Sequence, residues 1–311
     1  MIRNSEILIR NSEILFVYEA RNCNPNGDPD NENKPRMDWG SRKNLVSDVR
    51  LKRYIRDYLN YVKGKDIFVR KENDQHVDAT ERANSLAKKL EKSVDDLNRS
   101  DFLSNWIDVR LFGATIPIKG QDGKGSKGIP ITGPVQFTWG YSFNKVEILD
   151  SSSITSVLSG AKEGGGTIGK DWRVKYSLIG FYGRINRHFA KISNLSEEDI
   201  KLLDEAIWKS ILIFAHSHTK IGQEPKVYIR VEYKDDTDFV IGDLRKYFKI
   251  GKDDYVEDFK GANPDIGGIL EVLSRYKDKI HKVYYRFSED AKELFGELKI
   301  EGVEVEELKD S

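Results

Sequence analysis

Between residues 22 and 56 the chain gathers most of the side chains whose types and spacing could do chemistry. Four aspartates fall there, Asp28, Asp30, Asp38 and Asp48. A two-metal nuclease needs several acidic oxygens converging on ions about 4 Å apart. Asp28 and Asp30, however, lie in a run of turn formers, Asn22, Asn24, Pro25, Asn26, Gly27 and Pro29, where Asx turns account for short acidic side chains. Asp48 has basic neighbours. Metal catalysis is therefore the weaker reading, and Asp28 is the residue that would carry it. His216 and His218 are two apart, a spacing that points them in different directions on a helix, whereas zinc helices place histidines four apart. Cys23, the only cysteine, has no evident histidine partner and no metal-ligand companion. No GxxxxGK[ST] phosphate loop is present. No catalytic residue, metal or cofactor is expected.

Charge points elsewhere. Residues 36–56 carry seven cations, Arg36, Arg42, Lys43, Arg50, Lys52, Arg53 and Arg56, against Asp38 and Asp48, although the whole chain balances 51 Lys and Arg with 51 Asp and Glu. Such a local excess is the footprint of a polyanion site. A solvated helix face can carry the same charges, so the patch alone does not decide. The elements that must hold it lie on either side. Ile14, Leu15, Phe16, Val17 and Tyr18 form an apolar run of the kind a buried central strand shows. Gly40 and Ser41 offer a helix start, and Leu51, Ile55, Tyr58, Leu59 and Val62 predict a helix over about 42–62 with one apolar stripe. Lys52 and Arg56, four apart, fall on the flank away from it.

The rest of the chain supplies a frame. Residues 67–69 suit a short strand, and Ala83, Leu86, Leu90, Val94 and Leu97 keep helical spacing behind Thr80 as a cap. Residues 113–128, with many Gly and with Lys119, Lys124 and Lys127, read as a loop. Val135, Phe137, Trp139 and Tyr141 alternate with polar residues as the clearest strand. Residues 150–169 are rich in Ser and Gly and lead into Lys170, Arg173 and Lys175, a basic projection between two strands. Residues 176–185 suit a strand, Ser196 caps a helix that buries Leu203, Ala206, Ile207, Ile211 and Phe214, and Val227, Ile229, Val231 and Tyr233 alternate as a further strand. The order β-α-(long insertion)-β-β-α-β is the ferredoxin-like or RRM-like plan, an α+β fold. Past residue 240 come a helix around Ile269, Leu273, Tyr276 and Ile280, a strand at Val283, Tyr285 and Phe287, and an acidic tail read as a short helix with a solvated end. The hexapeptide RNSEIL at residues 3–8 recurs at 10–15, and only the second copy runs into the first strand.

Composition is that of a folded chain with 33% charged residues. No apolar run approaches the roughly 20 residues needed to cross a bilayer, and no signal-peptide core is visible, so a cytoplasmic protein without membrane contact is expected.

Several spaced segments also carry a resemblance. Asn24-Pro25-Asn26-Gly27-Asp28-Pro29, then Lys34-Pro35-Arg36, then Ser47-Asp48-Val49-Arg50-Leu51-Lys52-Arg53, resemble the N-terminal signature of the seventh CRISPR-associated protein family in its type I-B form. Arg110-Leu111-Phe112-Gly113, Gly133-Pro134-Val135-Gln136-Phe137 and Thr167-Ile168-Gly169-Lys170 are similar to further family blocks, so the resemblance covers about residues 12–240. It implies an RRM-like palm that begins in residues 1–65, a finger insertion at 66–133, the remaining palm at 134–245 with a thumb-like arm at about 145–175, and a C-terminal extension at 246–311. It also implies a non-enzymatic backbone subunit of the Cascade complex that polymerises along guide RNA (crRNA). The partners would be copies of itself, other Cascade subunits, and target DNA reached through the guide. On that reading Asn22, Asn24 and Asn26 hydrogen-bond the RNA, Arg42, Lys43, Lys52 and Arg56 meet its phosphates, and Lys170 holds the guide where the arm crosses it. Two alternatives stay open: a metal-dependent ribonuclease like type III relatives, using Asp28, and a solitary RNA-binding protein. Gly180-Phe181-Tyr182-Gly183 matches an RNP1 strand only faintly, so base reading by stacking on the sheet is not expected.

Overall fold

The fold is organised on strand β1 (Ser12–Cys23), whose residues 12–20 are all buried, as expected for a strand covered on both faces. The computed structural model describes residues 9–72, 75–119, 126–156, 167–235, 238–251 and 255–309. The first RNSEIL copy and the tip of the arm, 157–166, lie outside them.

Twelve of the described strands build the central sheet and one separate hairpin. After β1 come β2 (Met37–Asp38) and β3 (Lys43–Val46), then β4 (Gly113–Lys119) and β5 (Ser126–Thr132). β6 (Val135–Phe137), β7 (Gly140–Ser142), β8 (Ile148–Ser156) and β9 (Thr167–Ile185) follow. β10 (Gln223–Tyr233), β11 (Ile280–Phe287) and β12 (Glu304–Glu307) complete the set. β1 lies between β9 and β10, antiparallel to both. The central sheet runs β12-β11-β10-β1-β9-β7-β3-β2, and β6 and β8 also pair with β9. β4 and β5 form a separate hairpin.

One face of the sheet is closed by α1 (Asp48–Asp57) and α6 (Glu197–Phe214), which pack on Ile14, Phe16, Tyr18, Ile179 and Phe181. The opposite face, with Leu15, Val17, Leu178 and Ile229, lies under the segment after residue 240, through Leu244, Phe248, Phe259, Ile269 and Leu273. A third core joins α2 (Ala79–Lys89), α3 (Arg99–Asn105), α4 (Ile107–Phe112) and the β4-β5 hairpin around Phe102, Trp106, Ile116 and Ile131, while α5 (Arg187–Ser193) follows β9 and α7 (Gly267–Arg275) carries Ile269 and Leu273. α4 is tied to α6 by the bidentate pair of Arg110 with Asp199, at 2.9 and 2.8 Å.

Several expectations are corrected. The first helix starts at Asp48 behind Ser47, not behind Gly40 and Ser41, because residues 43–46 pair with β7 and the buried Asn44 side chain donates to the Arg36 carbonyl and accepts from Ser177. Residues 67–69 form no strand: the amides of Phe68 and Val69 donate to Asp108 instead. Asp78, not Thr80, caps α2, in a capping box with Glu81, and Val94 belongs to a separate turn. Residues 113–128 hold most of the β4-β5 hairpin rather than a loop. The alternating stretch 135–141 is broken at Thr138 and Trp139 into β6 and β7. The acidic tail forms α8 (Glu289–Phe295) as expected, but its end is β12, parallel to β11, where Lys282 neutralises Glu304 and Glu306 at 2.6 Å each.

The two layers over β1 are locked by Glu13, which is fully buried and accepts from the Tyr182 and Tyr233 hydroxyls and from the amides of Ile241 (2.7 Å) and Gly242 (2.9 Å). Removing a buried acceptor strands its donors. Glu13→Ala is expected to cost about 3–5 kcal/mol in urea unfolding. A loss under about 1 kcal/mol would contradict this role.

Candidate nucleic-acid interface

The polar loop between β1 and β3 folds on its own side chains. Asn24 donates to the Asn33 carbonyl (2.7 Å), and Asn26 Oδ1 accepts from the Ser47 amide (2.9 Å) and hydroxyl (3.0 Å), fastening the loop to the α1 cap. Asn22, Glu32, Asn33 and Arg42 adopt left-handed backbone with φ of 49°, 50°, 59° and 56°, a conformation that asparagine tolerates well. Gly27 is required by contact: a Cβ there would lie 2.1 Å from Asn33 Oδ1 and 2.8 Å from its carbonyl oxygen. The loop is anchored below by the segment after α6, where the Asn24 amide donates to the Thr219 carbonyl (2.7 Å) and Lys220 Nζ donates to the Asn24 carbonyl (2.6 Å).

Most of the cations singled out from sequence already have partners. Arg42 donates to the Tyr255 hydroxyl (2.7 Å) and Lys43 to the Phe143 carbonyl (2.7 Å). Lys52 bonds Asp48 and Gln136, both at 3.0 Å. Arg56 bonds Asp108 (2.9 Å), the same buried carboxylate that holds the 68 and 69 amides. Lys170 makes an exposed pair with Glu32 at 2.8 Å, and Asp28 is paired with Arg36 at 3.1 Å. Asn22 is exposed, and its carbonyl accepts from Arg173 at 3.1 Å.

Two cations differ. The Arg50 guanidinium lies 4.0 Å from the centroid of the Tyr54 ring, and among the described residues no carboxylate comes within ion-pair distance of it or of Lys220. Half-buried Lys220 has its pKa lowered to about 8, first by desolvation and then by the charge of Arg50. Beside them Cys23 is pushed up to about 12 by burial, which leaves an inert thiol. Unpartnered atoms concentrate in the same place. Among the described residues ten buried side-chain N or O atoms lack a hydrogen bond, and six belong to Asn24, Arg36, Arg50, Asp171, Trp172 and Gln223, around this loop. Buried polar groups are normally satisfied, so such a cluster calls for a missing partner. His218 joins its rim, 2.9 Å from Arg173 and 3.5 Å from Asp171, while His216 stays exposed apart from it.

Arg50 belonged to the basic run in sequence but lies off the flank of Lys52 and Arg56. Lys220 had no local signal, since only the turn after α6 brings it to the loop. Among the described residues no group of three His, Cys, Asp or Glu could hold a metal, and no helix is long and apolar enough to cross a membrane.

A family model described as CRISPR-associated protein Cas7 matches residues 10–265. The chain belongs to that family. It is 34% identical over 300 residues to a CRISPR-associated protein Cas7 of Haloferax volcanii, covering 89% of this chain and 86% of that one. Its fold is similar to a chain of a solved CRISPR RNA-guided surveillance complex captured before nicking, with a TM-score of 0.56, 12% identity, and 97% and 96% of the two chains covered. A chain of another CRISPR RNA-guided surveillance complex gives 0.52 at 13% identity, with 97% and 95% covered. Both likenesses bear out the mixed α and β architecture with a large central sheet.

An uncompensated lysine leaves a thermodynamic trace. Below about pH 8 Lys220 is protonated in both folded and unfolded chains and the folded state carries the penalty. As pH rises from about 8 towards 10.5 the folded chain releases its proton first, and the penalty fades. Lys220→Met also removes the bond to the Asn24 carbonyl, so the charge penalty is read from the pH dependence: between pH 7 and pH 10 the wild-type chain is expected to gain stability relative to Lys220→Met by on the order of 1–2 kcal/mol. Denaturant titrations of both chains at the two pH values measure it, and a stability difference that does not change with pH would contradict it.

Proposed function

We propose that this Cas7-family chain is a crRNA-binding backbone subunit of a type I Cascade complex. Several copies line up along the guide, join other Cascade subunits, and present the guide for pairing with target DNA in the cytoplasm. The observation that carries the reading is the Arg50 and Lys220 pair, two adjacent cations without a counter-ion beneath a loop of unpartnered polar atoms. A backbone phosphate supplies the missing charge and acceptors at once. The whole sheet surface beside β1 is buried on both faces, so binding falls on backbone-tracking loops rather than on stacking across the strands.

The strand order β10-β1-β9, with β6 and β7 beyond β9 and with α1 and α6 on one face, supports a ferredoxin-like palm. We assign residues 66–133 to a finger insertion, the β8-β9 hairpin to the thumb-like arm, and residues 246–311 to an extension that roofs the palm. Arg50 and Lys220 form the centre of the phosphate site, Asn22, Asn24, Asn26, Arg42, Lys43 and Arg173 its rim, and Lys170 exchanges Glu32 for phosphate at the base of the arm. Lys52 and Arg56 lie beside this site and brace α1 against Gln136 and Asp108, so their contribution to RNA is secondary. The chain acts as a binding subunit rather than an enzyme: Asp28 is neutralised by Arg36 and has no converging carboxylates among the described residues.

The double variant Arg50→Ala, Lys220→Ala is expected to weaken single-stranded RNA binding at least tenfold near 0.15 M salt. The slope of log affinity against log salt should become shallower by about 1.4, since each single-strand phosphate contact contributes about 0.7. An unchanged affinity and slope would contradict the placement.

A further inference from the structure

Trp139 is 47% exposed, one of two tryptophans, with Trp39, that the described residues hold out to solvent. It sits in the break between β6 and β7, and its position is built rather than loose. The Trp139 carbonyl accepts from Arg245 at 2.8 Å, and Arg245 is itself 7% exposed, chelated by Asp243 at 2.9 and 2.7 Å and set 4.2 Å from the centroid of the Tyr141 ring. On the other side the Thr138 amide donates to the Tyr182 carbonyl at 2.9 Å. The next residue, Gly140, presses on the core so closely that a Cβ would lie 2.7 Å from the Phe181 ring. A rigid mount therefore holds an indole out to solvent.

The Arg36 guanidinium lies 6.0 Å from the Trp139 ring centroid, and its Nε is buried without a partner. Arg36 also closes the polar loop, through its amide to the Asn26 carbonyl (3.1 Å) and its side chain to Asp28 (3.1 Å). The ring is thus linked directly to the loop above Arg50 and Lys220. Its sequence neighbours Gln136 and Thr138 are exposed and polar, so it stands as an isolated aromatic face beside cations rather than as part of an apolar docking patch. That combination suits a planar, π-faced group carried on a polyanion.

We propose that Trp139, with Arg36 beside it, is a stacking platform for one unpaired nucleobase of the bound single strand. The inference rests on the RNA-binding reading above and adds a base contact to its phosphate contacts. Stacking is sequence-tolerant, because every base has a π-face, so the platform grips without reading.

The test compares affinity for a single-stranded ribo-oligonucleotide and for an abasic ribose-phosphate chain of equal length. The wild-type chain is expected to prefer the base-bearing oligomer by about tenfold. Trp139→Ala should erase that preference while leaving abasic affinity and its salt slope unchanged, and Trp139→Phe should keep most of it. Trp39→Ala, which alters another exposed indole with no cation over it among the described residues, should keep it all. Quenching of tryptophan fluorescence by the base-bearing oligomer, lost in Trp139→Phe, reads the same stack without relying on the alanine variant's fold. An equal affinity of the wild type for both chains, an undiminished preference in Trp139→Ala, or undiminished quenching in Trp139→Phe overturns the platform. If the wild type binds neither chain, the RNA-binding reading falls and the platform falls with it.

Discussion

The central strand Ser12–Cys23 keeps residues 12–20 out of water because two helices close one side of the sheet and the segment after residue 240 closes the other. Glu13 pins that second layer with four donors. This double cover leaves no open sheet face for stacking bases, since that side is occupied by Leu244, Phe248 and Leu273. On the proposed reading, recognition falls at the ends and edges of strands. There the chain leaves its uncompensated charge, its unpartnered polar atoms and its mounted indole.

The polar loop and the scaffold divide the cations between them. Arg56, Arg110 and Arg230 each hold a largely buried carboxylate, Asp108, Asp199 and Asp204, and removing either partner of such a pair strands the other. Arg50 and Lys220 have no such partner among the described residues, and burial first, then the charge of Arg50, lowers the pKa of Lys220. A site kept at electrostatic disadvantage in the free protein is relieved when an anion arrives, which ties stability and binding to the same side chains.

Much of the frame was legible because its signals are local. The run 14–18, the Ser196 cap with the α6 stripe, and the alternation of 227–233 each state their element without help from elsewhere. Elements that depend on distant partners were not legible. Residues 43–46 form a strand only because β7 and the Asn44 contacts hold them, against the helical stripe that follows. The β4-β5 hairpin was hidden by Pro117, Pro130 and the many glycines, which an isolated two-stranded hairpin tolerates better than a central strand does. The acidic tail became a strand because Lys282 neutralises Glu304 and Glu306. In the candidate site, the loop and Arg50 stood out in sequence as a charged turn region, whereas Lys220 and Arg173 reach it only through tertiary folding. The asparagines stand out by type, but Asn24 and Asn26 first serve to build the loop itself.

The central claim is that many copies of this chain track one RNA through its backbone. Light scattering on the purified chain, freed of nucleic acid at high salt and then mixed with RNAs of increasing length, tests it most directly. The account predicts that the number of bound chains rises stepwise with RNA length while the RNA stays intact. A fixed one-to-one complex at every length would reduce the chain to a single RNA-binding module, and shortened RNA would contradict the account in favour of a nuclease.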